Sequence, residues 1–359
     1  AFSLNPRQLR RNLSPILALA IPGLLLSTGL IGLIVYWLTP IDLAAALLLG
    51  AILSATDPIA VIALFKTLGA PKRLTVLVEG ESLFNDATSI VTAKLLFTVV
   101  IAGVLTTHDI THGVIDFFFE FFGGVLVGWI IALAIGFILG LVESDPEIEI
   151  SLTTILAYAT FLVAQNMFHV SGVMATVAAG LTLSGWGRAK ISPSVHSYME
   201  YFWQFLAYIA NALIFLLVGL SVNMQSVFDS LGILFVVIIA MFVSRAVITY
   251  GLIPILGRFP GAIPISKEYQ TAIFWGGLRG AIALAIVLSL QDFPYKELFT
   301  ALVTGAVLFT LLVNGLTMER LMKWLRLDIP PLSDRLAREE GQLSATKHAL
   351  AGIPELQQG

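Results

Sequence analysis

Three short stretches of this 359-residue chain carry residues able to handle ions. Glu79-Gly80-Glu81-Ser82-Leu83-Phe84-Asn85-Asp86 places Ser82 and Asp86 four residues apart, on one face of a helix, with Glu81 and Asn85 on the adjacent face. A carboxylate and a hydroxyl on a shared face supply only oxygen ligands, the kind that hard cations choose. In Ser54-Ala55-Thr56-Asp57-Pro58, the proline lacks the N–H that would bond the Ser54 carbonyl and pushes Asp57 away from helical angles. A helix through this point should break around Thr56-Asp57 and leave carbonyls without partners. In Gly276-Gly277-Leu278-Arg279-Gly280-Ala281, three glycines weaken a second helix around an arginine and let other backbones come close.

The elements that must position these residues are membrane helices. The chain is 57% hydrophobic and 12% charged, with a mean hydropathy of +0.92, whereas roughly a quarter of the residues in soluble domains are charged. This composition implies an all-α polytopic membrane protein and excludes a sizeable soluble domain. The absence of cysteine excludes disulfides and thiolate metal sites. A net charge of −3 says little about partners, because the place of each charge matters more. Apolar runs near 20 residues give about ten spans, at 14–38, 41–68, 74–103, 113–142, 149–167, 170–187, 197–222, 229–256, 268–291 and 297–325. The chain opens without an initiator Met or a signal-peptide pattern and reads as cut at its N-terminus. Residues 1–325 form the membrane domain, and 326–359, with Pro330-Pro331 and mixed charges, read as the start of a cytoplasmic tail.

Alternating ten spans across a bilayer gathers Arg7, Arg10, Arg11, Lys66, Lys72, Arg73, Arg188, Lys190, Arg258, Lys267, Arg320, Lys323, Arg326, Arg335, Arg338 and Lys347 on one side and leaves Lys296 on the other. The basic side is the cytoplasm, and both ends of the chain lie there. Glu143, Asp145, Glu147 and Glu149 share that side without weakening the assignment, since acids contribute little to the rule. The interrupted spans are the second and ninth, each the middle of a hydrophobic triplet. They stand seven spans apart, and an odd separation makes the two triplets run in opposite directions, as in the inverted repeats of secondary transporters. Chance placement of proline and glycine, both common in membrane helices, is the competing explanation.

Asp57, Glu81, Asp86, Lys94, Arg245 and Arg279 fall inside the expected spans, with Glu79 near a helix end. At roughly 3 kcal/mol each, six such charges facing lipid would cost about 18 kcal/mol, so they must face the interior. Glu81 and Arg279 are expected to form a structural ion pair, for which arginine is a strong bidentate partner. Arg245 fits either an accessory charge of the site or a structural one. Lys94 is equally open: it lies two turns beyond Asp86 and can also snorkel toward the interface. Asp86 has no obvious permanent cation and sits beside the helix break, which makes it the functional candidate.

In order and spacing, Ser54-Ala55-Thr56-Asp57-Pro58, Glu79 to Asp86 and Gly276 to Ala281 together resemble the monovalent cation/proton antiporters of the electroneutral sodium/proton exchanger branch, from Arg7 to about Leu325. The resemblance implies a core of two crossed broken helices, a separate dimerisation domain, and a homodimer exchanging Na⁺ or Li⁺ for H⁺ across a cell membrane. It implies no enzymatic activity and no cofactor or metal beyond the transported ions. Asp86 matches the ion-binding aspartate, Ser82 and the Thr56 carbonyl match accessory ligands, and Asn85 matches an asparagine that bonds across to Thr56 and Asp57. Glu81 matches an acid paired with the arginine at Arg279. The core then covers 41–103 and 268–325, and the scaffold 14–38 and 113–256. Members of the family carry further N-terminal helices ending in an acidic residue near the site, and this chain begins just after where they should be. The electrogenic branch has a second aspartate where Asn85 stands, which argues by resemblance for one cation per proton.

A K⁺/H⁺ antiporter of the same fold is the nearest alternative, because selectivity among monovalent cations rests on cavity size and ligand number. A cation channel with the broken helices as pore loops, and an intramembrane aspartyl protease with Asp57 and Asp86 as its dyad, are the alternatives from other classes. Nothing suggests nucleic acid as a partner, and the bilayer is the expected surroundings. His108-Asp109-Ile110-Thr111-His112 has the spacing of a metal-binding histidine pair but reads as a loop. Phe117 to Phe122 reads as packing or lipid contact, and Pro193 to Gln204 as an amphipathic start to its span. Gly124, Gly128, Ala132, Gly136 and Gly140 recur every four residues and form a smooth helical face, fit for close packing or for sliding.

Overall fold

The computed structural model describes residues 6–103, 107–142, 145–258, 264–291, 293–328, 336 and 339–346, and every regular element among them is a helix. Among the described residues, eight helices are long and apolar enough to cross a membrane: Leu13–Leu38, Leu43–Leu68, Lys72–Ala102, Ile115–Leu139, Pro146–Met167, Val195–Leu220, Leu231–Leu256 and Lys296–Trp324. The other two expected spans are the 14-residue helix Gly172–Gly185 and the interrupted pair Lys267–Trp275 and Ala281–Ser289. In chain order these are the first to tenth spans, so that Gly172–Gly185 is the sixth and the interrupted pair the ninth.

Local chemistry sets their ends. Asp42 accepts from the Ala45 amide at 3.0 Å, Asp145 from those of Glu147 and Ile148, and Ser171 from that of Met174, each satisfying a donor that the first turn leaves free. Gly69 and Gly103 close the second and third spans at φ of 71° and 73°, a conformation that glycine adopts without strain. Pro58 interrupts the second span as its chemistry requires, so that helix runs over Leu43–Ser54 and again over Ile59–Leu68. The ninth span is open over 276–280. The two breaks cross: the Asp57 amide donates to the Leu278 carbonyl at 2.8 Å, and a Cβ added to Gly280 would collide with the Asp57 side chain.

The largest apolar core joins Ile31 and Val35 of the first span, Leu48 to Leu53 of the second, Val237 and Met241 of the eighth, Leu284 of the ninth, and Phe299 to Val307 of the tenth. Gly32 abuts Leu47, Gly50 abuts the Thr28 carbonyl, and the Ser27 and Ser244 hydroxyls meet at 2.7 Å. A separate core holds Ala132 and Leu139 of the fourth span, Leu156 of the fifth, Ala179 and Leu183 of the sixth, and Val195 and Met199 at the start of the seventh. This packing departs from the expected division. The first and eighth spans, placed above with the scaffold, pack with the broken helices, because their small residues let backbones approach as glycine and serine do in membrane interfaces. The third and seventh spans pack both ways: the third meets Phe117, Phe121 and Met174 of the other group, and Val218 of the seventh joins the largest core.

The small-residue face of the fourth span is a packing groove. A Cβ at Gly124 would lie 2.5 Å from the Ser171 carbonyl, and one at Gly128 would strike the Ala175 carbonyl. Residues 107–139 form one helix, so the loop expected at His108 to His112 is helical, while the side chains of those two histidines lie outside the described residues, as does Glu143. Phe117 and Phe121 are buried and Phe118, Phe119 and Phe122 exposed, which splits that cluster between packing and surroundings. The helix from Pro193 runs unbroken to Ser221, with Tyr198 and Tyr201 exposed and the Trp203 indole donating to Thr153.

Candidate ion-binding site

The third span lies against the break in the second. Ser89 donates to the Ala51 carbonyl at 2.8 Å, Asn85 Nδ2 to the Ser54 carbonyl at 3.2 Å and to Thr56 Oγ1 at 3.4 Å, and Ser82 Oγ to the Thr56 carbonyl at 2.8 Å. Three polar side chains at helical spacing thus bind the carbonyls that Pro58 and the break release. Asn85 differs from expectation in one partner, since its amide reaches Ser54 rather than Asp57. Asp57 instead caps two helices: its carboxylate accepts from the Ile59 amide at 3.1 Å and from that of Ala281, so two positive helix ends hold it.

The expected Glu81–Arg279 pair does not form. Arg245 of the eighth span takes Glu81 in a two-pronged contact, Nη1 to Oε1 and Nη2 to Oε2 at 3.2 Å, and donates also to the Ile273 carbonyl at 3.0 Å. Arg279 Nη1 donates to the Ser54 and Ala55 carbonyls at 3.2 and 3.1 Å, and the Arg279 amide donates to Thr310. The physical reason is the break itself. Its partly negative carbonyls face the ninth span and claim the nearer guanidinium, leaving Glu81, only 2% exposed, to the arginine of the eighth span. Glu79 sits two residues before Glu81, on the far side of the helix, and is half-buried.

Asp86 remains. Its Oδ2 lies 3.4 Å from the Ser82 hydroxyl, and among the described residues it has no cationic partner. Asp86 and Asp57 are partly buried, whereas Glu81, Asn85 and Arg279 are buried. The Ser54 and Ala55 carbonyls are held by arginine, so the Asp86 carboxylate, Ser82 Oγ and the remaining lone pair of the Thr56 carbonyl, which also accepts from Ser82, are the oxygens able to approach a cation. Ser82 donates its one proton and keeps its lone pairs. The residues brought together are therefore Thr56, Asp57, Ser82, Asn85 and Asp86, with Arg279 behind them and the Glu81–Arg245 pair to one side.

Three contributors escaped the sequence reading. Thr310 and Asn314 lie in a π-helical turn of the tenth span, where Thr310 accepts from the Arg279 amide and Asn314 donates to the Trp275 carbonyl at 3.1 Å. Glu120 pairs with Lys94 at 2.8 Å, so that lysine makes a contact between spans while its side chain stays exposed. Glu120 lay among phenylalanines in an expected span, and its charge was the available signal.

A carboxylate beside two crossed, broken helices inside a membrane bundle defines the architecture of a secondary ion transporter. The chain belongs to the transmembrane sodium/hydrogen exchanger family, whose model matches residues 1–324. It is 36% identical to the Na⁺/H⁺ antiporter ApNhaP of Aphanothece halophytica, over 98% of this chain and 67% of that one. Identity is 38% with the low-affinity Na⁺/H⁺ antiporter NhaS1 of Synechocystis, over 91% and 62%, and 35% with the Na⁺/H⁺ antiporter NhaG of Bacillus atrophaeus, over 100% and 67%. The chain thus spans about two thirds of the length of these relatives. The fold matches the sodium proton antiporter MjNhaP1 of Methanocaldococcus jannaschii with a TM-score of 0.71 at 18% identity, over 91% of this chain and 81% of that structure.

Proposed function

We propose that this integral membrane protein exchanges Na⁺ or Li⁺ for H⁺, one for one, by alternating access, with Asp86 as the site for which the two compete. The observation that carries this reading is the charge balance at the break. Glu81 is matched by Arg245, Arg279 lies on carbonyls, Asp57 is held by two helix ends, and Asp86 alone has a ligand shell and no partner. A proton on Asp86 removes the charge that a cation needs, and a bound cation repels the proton, so each ligand excludes the other. The same reading takes Asn85 as a positioning residue and needs no cofactor.

The shared core and the Glu81–Arg245 pair favour a moving unit of the first three and last three spans, sliding or rocking against the fourth to seventh. The distribution of basic residues supports both described ends being cytoplasmic, and a homodimer in the cell membrane is what the resemblance to the exchangers implies. Membership of an exchanger family displaces the channel and protease alternatives. K⁺/H⁺ exchange is the one the assay must separate.

The test is counterflow in proteoliposomes, with a pH dye inside and Na⁺, Li⁺ or K⁺ gradients outside. Wild-type protein should move protons against Na⁺ or Li⁺ at a rate independent of membrane potential, and Asp86→Asn should fold and move none. Normal exchange by Asp86→Asn refutes the site, a K⁺ response without a Na⁺ response refutes the cation, and dependence on potential at balanced gradients refutes the one-for-one ratio.

A further inference from the structure

The third span touches both packing groups, and one ion pair crosses between them. Of the ion pairs among the described residues, Glu81–Arg245 lies within the group around the breaks and Glu319–Lys323 within one helix, while Lys94–Glu120 joins the third span to the fourth. Ser82, Asp86, Ile90 and Lys94 recur every four residues, so the face that carries the ion site continues to Lys94, about 12 Å along the helix. Beside the pair lies a cavity of about 100 Å³, lined by Ile90, Val91, Lys94, Glu120, Gln165 and Ser171. Its wall begins one turn beyond Asp86. Glu120 is held by the opposite group, because its carbonyl accepts from the Ser171 amide at 3.0 Å. The Glu120 side chain is 14% exposed and that of Lys94 60%, so the carboxylate depends on the ammonium for its charge balance more than the ammonium depends on it.

We propose that Lys94 and Glu120 form an ionic gate for the cation on the Ala102 side of Asp86. Closed, the pair pins the seam beyond Ile90 and sets an ammonium in the path of any cation. Open, it frees Glu120 to attract a hydrated monovalent cation into the cavity whose wall begins one turn from Asp86. The gate rests on the antiport reading, and its test is chosen to fail separately from that reading.

The chain contains no cysteine, so Lys94→Cys with Glu120→Cys gives one reactive pair without background. In proteoliposomes, a short bis-methanethiosulfonate linker joining the two should lower Na⁺/H⁺ exchange at least tenfold, and a reductant should restore it. A cross-link verified by mass that leaves exchange unchanged overturns the gate, whereas a wild type without exchange overturns the antiport reading instead. Charge variants test the same gate without a linker. Lys94→Gln and Glu120→Gln should each change the ratio of apparent Na⁺ affinities measured from the two sides roughly two- to fivefold, because loosening one closed state favours access from that side. Lys94→Glu with Glu120→Lys should return the ratio to within twofold of wild type. An unchanged ratio in both single variants overturns the gate.

Discussion

Glu81 is 2% exposed and bound on both oxygens by Arg245. Replacing Arg245 with Met strands a buried carboxylate, at a cost of about 3 to 5 kcal/mol, and Glu81→Gln strands a guanidinium at a similar cost. Removing both strands neither, so the double variant should lose only about 2 kcal/mol. Taking about 3 for each single change, the interaction term is about 2 − 3 − 3, or −4 kcal/mol. Arg279→Met takes the side-chain donor from the Ala55 carbonyl, at a cost of about 1 to 3 kcal/mol, while the Ser54 carbonyl keeps Asn85 and Glu81 keeps its partner. Glu81→Gln and Arg279→Met should therefore be additive to within about 1 kcal/mol. Unfolding titrations with SDS in mixed micelles, followed by the fluorescence of the six tryptophans, measure both cycles. A stronger coupling of Glu81 to Arg279 than to Arg245, or additive losses in the first cycle, would refute the assignment of partners.

Gly280→Ala should abolish exchange and lower stability, since its Cβ meets the Asp57 side chain where the two breaks cross; a folded, active variant would show that the crossing can relax. Gly128→Ala should destabilise the fold by about 1 to 3 kcal/mol or more, because the methyl falls on the Ala175 carbonyl between two spans of one packing group. Slower turnover at full stability would instead mark that face as a sliding surface. Ser82→Ala should weaken apparent Na⁺ affinity about tenfold, the loss of one hydroxyl ligand worth about 1.4 kcal/mol, while Asp86 remains able to bind a proton. Unchanged affinity would remove Ser82 from the cation shell.

The breaks were legible because their causes are local. Pro58 cannot complete its helix wherever it lies, and a cluster of glycines weakens a helix whatever packs against it. The charges inside the spans were legible for the same reason, each being costly on its own. Partner choice was not, because both Arg245 and Arg279 carry the same charge and sequence spacing does not say which stands nearer to Glu81. Geometry decides it: the Ser54 and Ala55 carbonyls take Arg279, and the eighth span brings Arg245 to Glu81. The place of the first and eighth spans was hidden for a related reason, since Gly32, Ser27 and Ser244 show their use only once their neighbours are known.

The position of Asn85 bears on how many charges the site can carry. Its Nδ2 donates to the Ser54 carbonyl and the Thr56 hydroxyl, a role that requires an N–H donor. An ionised aspartate there would accept only, setting a carboxylate against the Ser54 carbonyl, and that contact would need a proton or a second cation to be tolerated in a dry interior. With asparagine, the break is held by a neutral group, Arg279 is already committed to two carbonyls, and Glu81 is cancelled by Arg245. One carboxylate with an incomplete shell is left on this face of the third span. If one cation and one proton bind at Asp86 in turn, as proposed, the loaded site carries the same charge in both halves of a cycle, and the exchange is expected to be indifferent to membrane potential.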